Sequence, residues 1–194
     1  MNTRESRPNC KPVASLKPIT LMNTLLNVPA TDPFLENLLT EGRSYDLFYG
    51  ENLLSDHLPM ALTSLRRLGA SNAELIEFRK THAAKLEPPR FAAAEAPEDP
   101  WPAARGCIQL YPGLGHYFDQ ALTRRGRDAV LLEWIPRLLP SAGVDAFHGL
   151  IRTAVAVESG VDAELACGLA YWLGVSADIP VNDGPRLDLT ERTP

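Results

Sequence analysis

The feature of this 194-residue sequence that most constrains its fold is a series of short apolar patterns with helical spacing, each bounded by Gly, Pro or Asp. No segment shows the sustained alternation of β-branched and polar residues that is typical of a half-buried strand. The sequence therefore predicts an all-α fold, an irregular bundle of about six helices built from antiparallel helix pairs. Because 45% of the residues are hydrophobic, the chain can bury a substantial core.

The first two helices carry recognisable end signals. Asp32 can cap a helix that starts at Pro33 and ends at Gly42, and its buried stripe would comprise Phe34, Leu35, Leu38 and Leu39. Ser55 or Asp56 can cap the second helix. Its apolar face would consist of Leu58, Ala61, Leu62, Leu65 and Leu68, and Gly69 would end it.

A third helix is predicted over residues 72–86, because "SNAE", starting at Ser71, matches a capping box. The link to the second helix is so short that the two should form an antiparallel hairpin. Further helices are predicted over residues 115–124, 129–139, 144–158 and 163–173.

The predicted organisation is one helical domain over residues 31–175 with an extended tail at each end. Residues 1–30 have no apolar period and are interpreted as an N-terminal tail that is flexible or draped over the fold, and residues 176–194 as a C-terminal tail. Residues 87–105 hold five prolines and are interpreted as a linker or an irregular surface wrap inside the domain.

Charge and cysteine content exclude several classes of protein. A formal net charge of −5 argues against a nucleic-acid-binding surface, which needs clustered Lys and Arg. No run approaches the roughly 20 apolar residues of a membrane span, and the N-terminus lacks the apolar core of a signal peptide. The three cysteines, Cys10, Cys107 and Cys167, fit neither a disulfide framework nor a CxxC metal site. We therefore expect a cytoplasmic protein.

Three histidines are candidate site residues, and no nucleotide-binding or hydrolase motif is present. His57 falls in the opening turn of the second helix, whose start is fixed by Pro59, while His148 lies on or beside an apolar helical face, and His116 opens another helix. Taken singly, each is better explained as a structural histidine bonded to backbone. If the three converge, neutral imidazoles could bind non-haem iron or another transition metal. His82 is interpreted as a surface residue without a role.

Two separated segments resemble the questin oxidase-like family. "DHLPMAL", starting at Asp56, and "RLGA", starting at Arg67, are similar to the family's "NHLPHALxALxRLGA", and "LEP", starting at Leu86, closes the next helix. "AFHGLIR", starting at Ala146, then resembles the family's "AFHPLIR", and "ELACGLAYW" is similar to the helix that follows. The likeness covers residues 53–172, the N-terminal half of the family pattern, so we expect a short member of the family.

The resemblance implies a mostly helical oxidoreductase that inserts oxygen into a polycyclic aromatic ketone in a Baeyer–Villiger-type reaction, with NADPH and molecular oxygen. His57 and His148 are the catalytic positions that carry over, as acid–base groups or as metal ligands. The chain departs from the pattern at Met60, where the family has a second histidine, and at Asp56, where it has asparagine. Such a chain could complete its pocket by forming a homodimer. The alternative is a non-catalytic helical binding module that keeps the scaffold.

Overall fold

The computed structural model describes residues 32–92 and 94–179, and these are mostly helical, so the all-α prediction is confirmed. The α-helices are α1 Pro33–Gly42, α2 Leu58–Arg67, α3 Asn72–Ala83, α4 Pro100–Ala103, α5 Tyr111–Arg125, α6 Arg127–Leu138, α7 His148–Ser159 and α8 Asp162–Val175. Three 3-10 turns lie at Ile108–Leu110, Leu139–Ser141 and Val144–Phe147. Two short strands, β1 Phe48–Tyr49 and β2 Leu54–Ser55, form an antiparallel ribbon in which Phe48 pairs with Ser55.

The predicted caps of α1 and α3 are present. One carboxylate oxygen of Asp32 accepts from the backbone nitrogens of Phe34 and Leu35 at 2.9 and 3.2 Å. At α3, Ser71 Oγ accepts from Glu74 N, and a Glu74 carboxylate oxygen accepts from Ser71 N at 2.7 Å. These bonds satisfy backbone donors that have no partner inside a helix, and they fix where each helix begins.

Helix α2 begins at Leu58 with His57 at the N-cap position, rather than the predicted Ser55 or Asp56, and the His57 side chain makes no capping bond there. Asp56 Oδ1 accepts from Leu58 N at 2.8 Å. The predicted apolar face extends too far, since Leu68 is 85% exposed. The helix ends one residue earlier, at Arg67, and Gly69 follows with a φ of +92°, so Leu68 lies in the turn that leaves the helix.

Helix α8 is the centre of the fold and packs mainly against α5 and α7. Every residue from 164 to 174 is buried, which is the pattern of a helix covered on all sides. The close approach of α7 and α8 requires glycine. A Cβ added at Gly168 would lie 2.9 Å from Thr153 Cα, and one at Gly149 would lie 2.8 Å from Trp172 Cα.

The predicted linker, residues 87–105, contains the single-turn helix α4 and contacts the bundle. A Cβ added at Gly113 of α5 would lie only 1.9 Å from the Ala94 carbonyl oxygen, so the segment packs directly on α5. The two predicted tails and Cys10 lie outside the described residues, apart from residues 176–179. Within the described ranges, no helix is both long and apolar enough to cross a lipid bilayer.

Candidate active site

His57 and His148 lie side by side, although 91 positions separate them in the chain. Their Nε2 atoms are 3.1 Å apart, and the ring centroids are 5.0 Å apart with the planes at 72°. This distance and edge-on arrangement are those of a hydrogen bond between two imidazoles. The structure thus brings together the two histidines that the family resemblance singled out.

The β-ribbon and the start of α2 position His57. Asp56 N donates to Leu47 O at 2.8 Å, which continues the ribbon by one bond, and the His57 carbonyl accepts from Ala61 N at 2.9 Å. His57 therefore stands where the chain turns from the ribbon into the helix. His57 is the N-cap residue of α2, its side chain makes no capping bond, and the residue is exposed.

A turn with an unusual backbone positions His148 as the first residue of α7. The three residues before it, Asp145, Ala146 and Phe147, all have left-handed conformations, with φ of 50°, 50° and 68°. Such conformations cost about 1–3 kcal/mol for each residue other than glycine, and they often mark functional sites. The sequence contains no glycine at these positions that would have indicated the turn.

A hydrogen bond within the same turn determines which ring nitrogen of His148 carries the hydrogen. His148 Nδ1 lies 2.5 Å from the Asp145 carbonyl oxygen, which can only accept, so Nδ1 carries the hydrogen. In a neutral ring the Nε2 atom of His148 then has a free lone pair, and His57 Nε2–H donates to it. The pair therefore shares one proton between its facing nitrogens and can pass charge from one ring to the other.

A buried tyrosine connects the two segments that carry these histidines. The Tyr171 hydroxyl bonds to the carboxylate of Asp145 and lies 2.9 Å from Ser55 Oγ. Burial raises the pKa of Tyr171, and the bond to the Asp145 carboxylate raises it further. The side chain is therefore a neutral phenol at physiological pH rather than a base.

His82 also belongs to this region, and the prediction that it is a surface residue is wrong. Its side chain is only 17% exposed, and its ring stacks on Phe78 with centroids 5.7 Å apart. His82 Nε2 is buried without a hydrogen-bond partner and lies 3.8 Å from Asp56 Oδ1. Burial lowers the pKa of His82 and raises that of Asp56. The attraction between the His82 and Asp56 charges partly offsets both shifts.

His116 has different neighbours from the other two predicted site residues. It is exposed on α5, and its Nε2 accepts from the Gln120 side-chain amide at 2.7 Å. It lines a cavity of about 690 Å³ together with Tyr117, Gln120 and Arg124. Among residues 32–92 and 94–179, no group of three His, Cys, Asp or Glu side chains could hold a metal ion.

The histidine pair lies at the surface of the bundle. Neither ring lines any of the three cavities with volumes of about 690, 320 and 350 Å³. Met60, at the position of the family's second histidine, is buried and 7% exposed. The arrangement can therefore hold and move a proton at an accessible imidazole, and it offers two nitrogen donors to a metal.

Comparison with known proteins identifies the family. The family model described as questin oxidase-like matches residues 54–182, a segment that includes both members of the histidine pair. Neither the curated proteins nor the solved structures gave a match. The family description indicates chemistry of the oxidoreductase type. The matched segment covers well over half of the sequence, and the chain therefore belongs to the questin oxidase-like family.

Proposed function

We propose that this protein is an oxidoreductase in which His57 and His148 hold and move a proton at an oxygen atom of a flat aromatic substrate. The observation that carries the proposal is the 3.1 Å contact between the two Nε2 atoms. The reaction class is Baeyer–Villiger-type oxygen insertion. Ketone, molecular oxygen, NADPH and a proton would give an ester, NADP⁺ and water.

Within the pair, we assign proton transfer with the substrate to His57, because it is the exposed ring. His148 is anchored through Nδ1 to the Asp145 carbonyl, so its Nε2 is held in place to exchange a proton with His57. An added proton makes one ring an imidazolium, and this charge stabilises negative charge that develops on a substrate oxygen. Positioned acid–base groups of this kind contribute about 10²- to 10⁴-fold in rate.

The aromatic body of the substrate has a suitable cavity beside the ribbon. A cavity of about 320 Å³ is lined by the rings of Tyr45, Phe91 and Tyr111, and a volume of that size is typical of small-molecule sites. Leu47 forms part of its wall and accepts a backbone bond from Asp56, the residue before His57. A polycyclic ligand bound there would thus contact Leu47, which one backbone hydrogen bond joins to the segment that carries His57.

A transition metal and NADPH are further parts of this proposal. Nitrogen ligands of one metal lie within about 4 Å of each other, which His57 and His148 satisfy, but the described residues supply no third ligand. Arg43 lines the aromatic cavity, yet both of its terminal nitrogens bond to Asp119, so it is not free to bind a phosphate. We therefore assign no step to a metal and no residue to NADPH binding.

Two further expectations complete the proposal. A second copy of the chain could cover the exposed histidine pair and form a homodimer. The reaction would suit a reducing compartment such as the cytoplasm, because Cys107 and Cys167 are free thiols. The competing proposal is a non-catalytic helical binding module. It is supported by Met60 in place of a histidine and by the absence of the pair from the three cavities.

Oxygen uptake with an anthraquinone and NADPH tests the proposal, together with mass spectrometry for a product that has gained one oxygen atom. His57→Gln and His148→Gln should each lower kcat by about 100-fold or more. Ser64→Ala, on the exposed face of α2, is the control and should keep full activity. His116→Gln should lower the bound metal content if that residue is a metal ligand and leave it unchanged otherwise. No turnover with any reductant would support the binding module instead.

A further inference from the structure

Tyr171 occupies the most buried helix of the protein, yet its hydroxyl contacts the two segments that carry the histidine pair. The residue is 1% exposed, and its ring meets the edge of Phe48 with centroids 5.8 Å apart at 80°. A buried tyrosine normally satisfies its hydroxyl with one convenient partner. Here the hydroxyl has two partners from distant parts of the chain, Ser55 and Asp145.

The contact with Ser55 fixes the approach to His57. Ser55 is the last residue of β2 and pairs with Phe48 across the ribbon, so Tyr171 holds the ribbon through both its ring and its hydroxyl. Only Asp56 lies between Ser55 and His57. Movement of the ribbon end would therefore displace the His57 ring directly.

The contact with Asp145 fixes the approach to His148. Asp145 has a φ of 50°, and the two residues that follow it are also left-handed, so the turn needs outside contacts to persist. The carboxylate of Asp145 bonds to Tyr171, and its carbonyl oxygen receives the His148 Nδ1–H. Asp145 thus links Tyr171 in the core to the His148 ring and restrains the position of that ring.

The protons in this network can be assigned. The Asp145 carboxylate can only accept, so the single phenolic hydrogen of Tyr171 is donated to it, and Ser55 Oγ–H donates to the phenol oxygen. Because each donor has one acceptor, the chain Ser55–Tyr171–Asp145 has a fixed direction. Removing the phenol oxygen leaves Ser55 and Asp145 without their shared partner, both at the edge of the histidine pair.

We infer that Tyr171 is a positioning residue that holds the segments of His57 and His148 at the separation their proton exchange requires. Its consequence for catalysis rests on the proposed function, whereas its effect on the His148 ring does not. The phenol touches neither histidine and acts through the ribbon end and through Asp145. Misplacement of a catalytic group by about 1 Å can cost on the order of 100-fold in rate.

Tyr171→Phe tests this role through the tautomer of His148, measured by nitrogen NMR of protein that contains isotope-labelled histidine. In the unmodified protein we expect hydrogen on Nδ1 of His148, and in the variant a mixture in which Nε2 also carries hydrogen. Tyr117→Phe is the matched control, because it removes another tyrosine hydroxyl, on α5, from a ring that packs against Phe118 and Trp134. That control should leave the His148 signals unchanged.

The outcomes separate the inference from the proposed function. A His148 tautomer that is the same in Tyr171→Phe as in the unmodified protein would overturn the inference, whatever the activity. A changed tautomer in a protein that shows no oxidase turnover would support positioning and count against the function. If Tyr171→Phe does not fold, Ser55→Ala and Asp145→Ala each remove one bond of the network, since alanine leaves no acceptor for the phenol. The inference then requires the tautomer to change in Asp145→Ala, and an unchanged tautomer there overturns it.

Discussion

Arg152 and Glu164 form a buried ion pair between α7 and α8, with Arg152 Nε 2.7 Å from Glu164 Oε1. A second contact joins Arg152 Nη2 to Oε2 at 3.3 Å, and the side chains are only 4% and 3% exposed. Burial raises the pKa of Glu164, and the Arg152 charge opposes this. Burial raises the pKa of Asp56 and the Arg152 charge opposes this rise, so the pair extends electrostatically to the residue beside His57.

Arg152→Met should therefore destabilise the protein strongly. Removing one partner leaves an uncompensated carboxyl in the core, which typically costs about 3–5 kcal/mol in the free energy of unfolding. Urea unfolding measures the change, and Arg67→Met is the control because its pair with Glu158 is largely exposed. That control should unfold almost like the unmodified protein. A small loss for Arg152→Met would mean that water reaches Glu164.

Gly168→Ala should destabilise the contact between α7 and α8. The added methyl would lie 2.9 Å from Thr153 Cα and 3.1 Å from Thr153 N, which are backbone atoms that cannot rotate away. Overpacking of this kind costs about 1–3 kcal/mol. Thermal unfolding measures it, and Gly42→Ala is the matched control.

Gly42 is helical like Gly168 but has no neighbour within 4 Å of an added Cβ. Its replacement should be neutral or stabilising by up to about 1 kcal/mol, because alanine is the better helix former. Equal effects of the two substitutions would show that the helices can separate without loss. The contact between α7 and α8 would then not require glycine at position 168.

Local signals in the sequence predicted the helices well, because the residues that carry them act within a few positions. Asp32 and the pair of Ser71 with Glu74 cap the helices where expected, since these contacts span only two or three residues. The end of α2 was misjudged at Leu68, where apolar spacing continues past the last helical bond.

The site was only partly predictable. His57 and His148 emerged from family motifs, but their contact joins residues 91 positions apart, which no spacing rule reveals. Tyr171 looks like an ordinary core residue in the pattern of α8, and nothing local indicates its partners. The left-handed turn before His148 contains no glycine, so the usual signal for such a backbone is missing.

His82 should make stability pH-dependent near its ordinary pKa of 6.5. Burial lowers the pKa of His82 in the folded protein, with Lys85 and His57 acting in the same direction and Asp56 opposing. As the pH falls through about 6.5, the unfolded chain binds a proton that the folded chain does not, so the free energy of unfolding decreases. Stability from this residue is therefore present above that pH and lost below it.

Comparison with His82→Gln isolates this contribution. Unfolding free energies measured across that pH range should fall less steeply on acidification in the variant than in the unmodified protein, and Asp56 titrates in both. Thr81→Ala, which replaces the exposed, non-titrating neighbour of His82, should keep the unmodified slope. Parallel curves for the unmodified protein and His82→Gln would show that the His82 imidazole binds a proton as readily in the folded chain as in the unfolded chain.

Ala146→Gly should stabilise the protein while loosening the site. Ala146 is exposed and has φ and ψ of 50° and 40°, a conformation that costs about 1–2 kcal/mol for alanine and nothing for glycine. The greater entropy of glycine in the unfolded chain offsets about 0.4–1 kcal/mol, so a net gain of up to about 1 kcal/mol is expected.

Ala154→Gly, at an exposed position within α7, is the control and should instead cost about 0.5–1 kcal/mol. Denaturant unfolding of both variants compares them directly, and destabilisation by Ala146→Gly equal to that of the control would mean that the turn is not strained. Because glycine also lets the turn leave the left-handed region, the His148 Nδ1 bond to Asp145 should become less persistent. A more stable protein with lower activity is therefore expected, because glycine removes the strain and, with it, the backbone restriction that helps to place the imidazole.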